Sequence, residues 1–241
     1  MNTAVRFAND QTEATRSATV GPRVDLYCFV HKGLRAFMCD ALTRVGRTDG
    51  NDHVELSETL SLVSDLLDMC ESHLQHENKF IHPALEARQP GSSLVTAQNH
   101  DDHEESLRVL RRSIEAIRVA QDDLRGRALS DLYRLLARFV AENFEHMHEE
   151  ETANNAVLWA HYSDSEINDI LCSIMSAVSP QAYSKLLRWM APNISANERA
   201  AMFIGMKLSR PAAAFTQVLT QVKPYLAENE WNKLMAALAG V

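Results

Sequence analysis

Glycine and proline are scarce, at 8 and 7 residues of 241. With leucine, alanine, glutamate and arginine plentiful, this is the composition of a helix-forming chain. No apolar run approaches the roughly 18 residues that cross a bilayer, and the first twenty residues lack a hydrophobic signal core. A membrane span and a secretory signal are therefore not expected, and the expected location is the cytoplasm. The four cysteines, Cys28, Cys39, Cys70 and Cys172, show no C-x-x-C spacing and sit in apolar helical pattern. They are predicted to be reduced, buried core thiols in a reducing compartment. Basic residues are outnumbered, 24 Lys plus Arg against 32 Asp plus Glu, for a net charge of −8. That balance argues against a general nucleic-acid footprint and against anionic membrane surfaces. Ser-His-Asp, P-loop, Rossmann and zinc-finger patterns are absent too.

What the chain does have is a repeated pairing of histidine with glutamate. His73 and Glu77 stand four residues apart, and His146 and Glu150 repeat the step. Four residues is one helical turn plus about 40°, so each imidazole and carboxylate leave the same helix face as a chelating pair. Between them, His100 and His103 stand about one turn apart, and upstream His31 falls in an otherwise apolar stretch.

Taken in order, residues 1–21 are polar, mixed in charge and aperiodic, the pattern of a flexible arm, and Pro22 suits the first turn of a helix. From Val24 to about Val45, Tyr27, His31, Leu34, Met38, Ala41 and Val45 follow a 4-3-4-3-4 spacing, which puts His31 on the buried stripe. A turn at Gly46–Asn51 leads to a helix expected from about Asp52 towards Arg88, bending at Pro83. On that helix Leu62, Leu66, Glu77 and Phe80 lie within about 40° of His73, whereas His76 falls at the edge and His82 about 180° away. A third helix begins near Ser93 with the seam His100, His103, Leu107, Leu110, Ile114 and Ile117. Glu104 is the alternative to His103 as the partner of His100. The fourth runs from about Ala128 to Asn154, with Leu132, Leu135, Phe139 and Glu150 sharing the face of His146. His148 and Glu151 are expected to look outwards or onto the C-terminal segment.

Beyond Trp159 the ligand-type residues thin out. Ser163-Asp164-Ser165-Glu166 and Ser195-Ala196-Asn197-Glu198 read as capping boxes, and prolines divide the remainder into about five short helices. The expected organisation is an up-down four-helix bundle over residues 22–158, followed by a helical extension over residues 159–241. The extension would cover the bundle or make a homodimer, with Trp189 and Trp231 as anchors.

Seven residues then converge from four helices: His31, His73, Glu77, His100, His103, His146 and Glu150. Two carboxylates in an apolar core cost several kcal/mol each unless something positive compensates, and neutral imidazoles cannot. Two divalent cations about 3.5 to 4 Å apart can, with the carboxylates bridging and coordination left open for a small ligand. Nitrogen-rich ligation suits iron, zinc or copper better than magnesium or calcium. It also makes a less anionic centre than the Glu-x-x-His sites of carboxylate-rich di-iron bundles, one suited to reversible binding of a diatomic.

The set resembles the hemerythrin-like, or HHE cation-binding, family. The resemblance runs from His31 through His73-x-x-x-Glu77 with Phe80-Ile81-His82-Pro83, then Asn99-His100, then His146-Met147-His148-Glu149-Glu150-Glu151. It implies an all-α four-helix bundle with a non-haem di-iron centre held by His31, His73, His100 and His146, with Glu77 and Glu150 as bridges. In oxygen-carrying members the last carboxylate comes five residues after the fourth-helix histidine, which here would be Glu151. The segment from Leu158-Trp159 onward is similar to an extension that some bacterial members carry. The function implied is binding of dioxygen or nitric oxide for storage or sensing. Members linked to iron–sulfur repair, nitrosative stress and peroxide removal make a di-iron oxidoreductase the alternative. Zinc or manganese could replace iron.

Overall fold

The computed structural model describes residues 23–240. The expected arm over residues 1–21 and the helix start at Pro22 lie outside the described residues. Within them the chain is all helix, with no strand.

Four long helices form the bundle: α1 (Cys28–Arg47), α2 (His53–His76), α4 (Leu94–Val119) and α5 (Asp122–Glu149). Between α2 and α4 lies the short α3 (His82–Arg88). Each bundle helix packs on two others, giving the ring order α1, α2, α4, α5. The connections are short, so successive long helices run antiparallel. α2 starts where the Asp52 carboxylate accepts hydrogen bonds from the Val54 and Glu55 amides. One core fills the ring, built from such residues as Leu34, Phe37, Met38, Leu66, Leu67, Leu107, Leu110, Ile114, Leu132, Leu136 and Phe139.

Two π-helical turns interrupt the bundle at one end, Glu77–Ile81 after α2 and Glu150–Asn154 after α5. The second leads into α6 (Asn155–His161). The first corrects the expected continuous helix. Pro83 cannot donate to the ladder, and a wider turn just before it takes up the mismatch. An added residue in one turn moves everything downstream by about 100°. Ile81, His82 and Leu85 therefore turn inward, while Phe80 is only half buried.

The C-terminal residues form α7 (Asp164–Ala177), α8 (Pro180–Asn193), α9 (Ala196–Ser209), α10 (Ala212–Val222) and α11 (Glu228–Ala239). Both capping boxes are present, Ser163 with Glu166 and Ser195 with Glu198. α8 lies along α1, where Trp189 stacks on Phe37 with ring centroids 4.1 Å apart. The approach is close enough that a Cβ on Gly33 would stand 3.1 Å from the Met190 backbone. A second core, centred on Leu187, Phe203, Phe215, Val222 and Leu234, holds α8 to α11 together. Trp189 thus anchors the extension to the bundle, and Trp231 packs against this second core.

Two finer expectations need correction. Of the cysteines only Cys70 is buried, its thiol pushed up to about 12 by burial; Cys28 is half-buried, and Cys39 and Cys172 are exposed. All four are free thiols. On α5 the buried arc is centred on Leu132, Leu136, Phe139 and Val140, which leaves Leu135 at the exposed edge.

Candidate metal centre

His31 lies near the start of α1, His73 near the end of α2, His100 near the start of α4 and His146 near the end of α5. Antiparallel neighbours therefore bring all four imidazoles to one end of the bundle. Glu77 and Glu150 each open one of the π-helical turns, one turn beyond a histidine. Both carboxylates are almost wholly buried, at 1 % and 0 % exposure.

The polar atoms divide into two sets. His31 Nε2 lies 3.1 Å from His73 Nε2, and on the opposite side His100 Nε2 lies 3.1 Å from His146 Nε2. Glu77 points Oε1 at the first pair, 3.2 Å from His73 Nε2 and 3.9 Å from His31 Nε2, and Oε2 at the second, 3.5 Å from His100 Nε2. Glu150 does the reverse. Its Oε2 is 3.4 Å from His31 Nε2, while its Oε1 is 3.3 Å from His146 Nε2 and 3.8 Å from His100 Nε2. Each set, His31, His73, Glu77 and Glu150 on one side and Glu77, His100, His146 and Glu150 on the other, has its ligand atoms within 4.8 Å of one another.

None of the four carboxylate oxygens has a hydrogen-bond partner among the described residues. Buried charge without hydrogen bonds costs several kcal/mol per ion, so the donor set fits a pair of cations that the two carboxylates would share. His103 is buried as well, but its ring stands edge-on to His146 at 4.9 Å and its ligand atoms belong to neither set. Glu104 is exposed.

The outward nitrogens are held unequally. Glu151 Oε1 accepts a hydrogen bond from His31 Nδ1 at 3.0 Å and is gripped at both oxygens by Arg35, at 2.5 and 3.0 Å. His100 Nδ1 donates to Asn78 Oδ1 at 2.7 Å, and the Asn99 amide lies 3.5 Å from His146 Nδ1. For His31 and His100 a proton held on Nδ1 leaves Nε2 free to face the centre; at His146 the Asn99 Nδ2 is the donor and Nδ1 the acceptor.

Electrostatics follow from burial. Burial pushes His73 down to about 3. For His100 burial acts downward too, but the nearby Glu150 and Glu77 carboxylates carry it up to about 9. Burial raises Glu151, and the hydrogen bonds from His31 and Arg35 overcome this and bring it to about 2. Burial, then the negative charge of Glu150 and Glu77, holds the Tyr27 phenol well above its usual range.

Sequence patterning missed five neighbours. His82, expected to point away, stacks on His100 at 4.7 Å and lies 3.2 Å from Thr96 Oγ1, for the reason of register given above. Glu151 reaches α1 instead of looking outwards. Asn78, the residue after Glu77, and Arg35, one turn after His31, carry no separate signal beyond that adjacency. Tyr27, one turn before His31 on the same stripe, packs against its ring at 5.2 Å and accepts a hydrogen bond from Asn154.

A family model for the hemerythrin HHE cation-binding domain matches residues 25–155, which is more than half of the chain. The chain belongs to this family. As a hemerythrin-family protein it carries the His/Glu cluster just described within the matched residues and the helices from α7 onward outside them. Searches of curated proteins and of solved structures return no significant match to the chain. No helix among the described residues is long and apolar enough to cross a membrane.

Proposed function

We propose that this hemerythrin-family chain holds two iron ions and binds a small diatomic, dioxygen or nitric oxide, for storage or sensing. The reading rests on one observation: each buried carboxylate turns one oxygen to each histidine pair, and those oxygens have no hydrogen-bond partner among the described residues. His31 and His73 would hold one ion, His100 and His146 the other, with Glu77 and Glu150 across both.

When bound, a ferrous pair supplies the electron density that a diatomic needs for reversible attachment. The protein supplies the rest. Neutral imidazoles keep the centre less anionic than a carboxylate cage. The buried residues Tyr27, Ile81, His82, His103 and Phe139 wall off bulk water. Free cysteines accord with the reducing cytoplasm in which we place the chain. We assign it no nucleic-acid partner, given the net charge of −8, and we propose a homodimer as its assembly.

Elemental analysis of protein from its own host tests the metal. Two irons per chain is the expected result, and zinc or manganese in that amount would overturn the iron assignment. Absorption spectra of the ferrous protein test the ligand. A visible band that appears in air and vanishes when oxygen is removed supports binding. Irreversible oxidation, with peroxide consumed on turnover, would replace this reading with a di-iron oxidoreductase of oxidative or nitrosative stress defence.

A further inference from the structure

The two halves of the centre are alike in their inward atoms and unlike in their outward ones. His31 donates its Nδ1 proton to a carboxylate, Glu151, whose second oxygen is locked by Arg35. His100 donates to a neutral amide oxygen on Asn78, and among the described residues His146 Nδ1 faces no acceptor but the Asn99 Nδ2 donor, at 3.5 Å. A hydrogen bond to an ionised acceptor is roughly twice as strong as one between neutral groups. A stronger pull on Nδ1–H also makes Nε2 of the same ring the better donor to a metal. The Arg35 guanidinium, 2.5 and 3.0 Å from the two oxygens, is the counter-ion of the Glu151 carboxylate. Arg35 offsets part of that charge and, by gripping both oxygens, fixes the direction in which it acts.

Access favours the same half. His73 is the one ligand candidate whose side chain reaches solvent, at 15 % exposure, while those of His31, His100, His146, Glu77 and Glu150 stand at 2 % or less.

We infer that the two ion positions are inequivalent: the His31–His73 position fills first and binds more tightly, because Glu151, held by Arg35, serves as positioning residue for His31. This rests on the two-ion reading above. It assigns to Glu151 and Arg35 a role in setting the order and spacing of metal loading, distinct from ligation.

The test is an anaerobic titration of the full metal-free chain with cobalt(II), followed by the visible d–d bands of the bound ion and by calorimetry. The wild type should take up two ions in steps whose Kd values differ by about tenfold or more. Glu151→Gln keeps the size and an acceptor oxygen but removes the charge. It should weaken the first step by about 10- to 100-fold, change the band of that step and leave the second where it was. Asn78→Asp should instead tighten the second step. Two ions taken up in a single indistinguishable step, or equal weakening of both steps by Glu151→Gln, would overturn the inference while leaving the two-ion reading intact. Failure to bind two ions per chain at all would overturn that reading itself. Because Asn78→Asp acts from the opposite half, the question stays decidable even if the Glu151 variant folds poorly.

Discussion

Glu77 and Glu150 are related by more than spacing: each is the first residue of a π-helical turn, each follows its histidine by four residues, and each faces both histidine pairs. π-helical turns are rare and concentrate at functional sites. Two of them at equivalent places, both opening on a buried carboxylate, tie the backbone irregularity to the site.

That relationship gives a prediction about Glu77. In the metal-free protein two buried carboxylates share the interior, where no hydrogen-bond partner among the described residues satisfies their oxygens, and they draw His100 up to about 9 against the effect of burial. Glu77→Gln removes one anion and leaves the His100–Glu150 contact. Neutralising a buried carboxylate whose oxygens have no hydrogen-bond partner removes a desolvation penalty of several kcal/mol, less the attraction to His100 that is given up, for a net gain of about 1–2 kcal/mol. With about 2–4 °C per kcal/mol for a chain of this size, the metal-free variant should melt several degrees above the metal-free wild type. In the presence of metal the order should reverse, since the variant has lost a shared ligand. Scanning calorimetry of both proteins with and without metal checks it; a lower midpoint for the metal-free variant would count against the account.

His103 and His100 separate ligation from burial. Both are buried histidines on the seam of α4, but only His100 places a nitrogen within reach of Glu77, Glu150 and His146. His103→Leu fills a buried slot where Nδ1 has no partner among the described residues, so it should leave metal stoichiometry at the wild-type value and raise stability by up to about 1–3 kcal/mol. His100→Leu should halve the metal content or abolish it. Metal analysis of the two purified variants decides, and equal loss from both would restore His103 as a ligand.

The bundle and the candidate centre were legible in the sequence to different depths. Periodicity marks His31, His73, His100 and His146 because residues three or four apart share a helix face, and a polar residue on an apolar stripe stands out. That logic assumes an unbroken α-helix. It therefore misplaces His82, which lies beyond a turn that contains an extra residue, and it predicts an outward Glu151 that instead bonds to His31. The helix face is also a coarse measure. It put Leu135 with the core when the inward direction on α5 belongs to Leu136, and Cys39 was read as buried from cysteine usage although the stripe on α1 runs through Met38 instead. Asn78 was invisible for another reason: an amide that accepts from an imidazole has no periodic signature. The extension's capping boxes were readable because they are local. Its seat on α1 was not, because Trp189 on Phe37 is a contact across more than 150 residues of chain.

The contact between Lys32 and Glu198 makes the seat of α9 sensitive to acid. Lys32 Nζ lies 2.5 Å from Glu198 Oε1. That hydrogen bond lowers the Glu198 carboxyl, burial works against it, and the Ser195 amide and hydroxyl add to the lowering, to about 2. A carboxyl depressed in the folded state contributes stability above its ordinary value near 4.5, and that contribution is lost as pH falls from there towards 2. Lys32 is 38 % exposed, so water screens the pair and its worth is under about 1 kcal/mol. Glu198→Gln, which can still complete the capping box, should be less stable than wild type at pH 7 and indistinguishable from it near pH 2.5. Urea denaturation at the two pH values measures this, and a difference that persists in acid would assign the effect to packing.

Arg199 should act on the extension alone. Its side chain is 2 % exposed and donates to the carbonyls of Ala191 at 2.7 Å and Ile194 at 2.9 Å, closing the end of α8, with a longer contact to the Pro192 carbonyl at 3.5 Å and an ion pair with Glu230 at the start of α11. Arg199→Met keeps much of the apolar stem but leaves both carbonyls buried without a donor. At about 1–3 kcal/mol for each unsatisfied group, the loss is about 2–6 kcal/mol. It falls on the core shared by α8 to α11, whereas the candidate ligands sit in helices held by a separate core. Amide hydrogen exchange should accelerate across α9 to α11, with metal content and exchange in α2, α4 and α5 close to wild type. Acceleration spread evenly over the whole chain would show that the two cores unfold as one unit, and would place the extension among the determinants of the centre's stability.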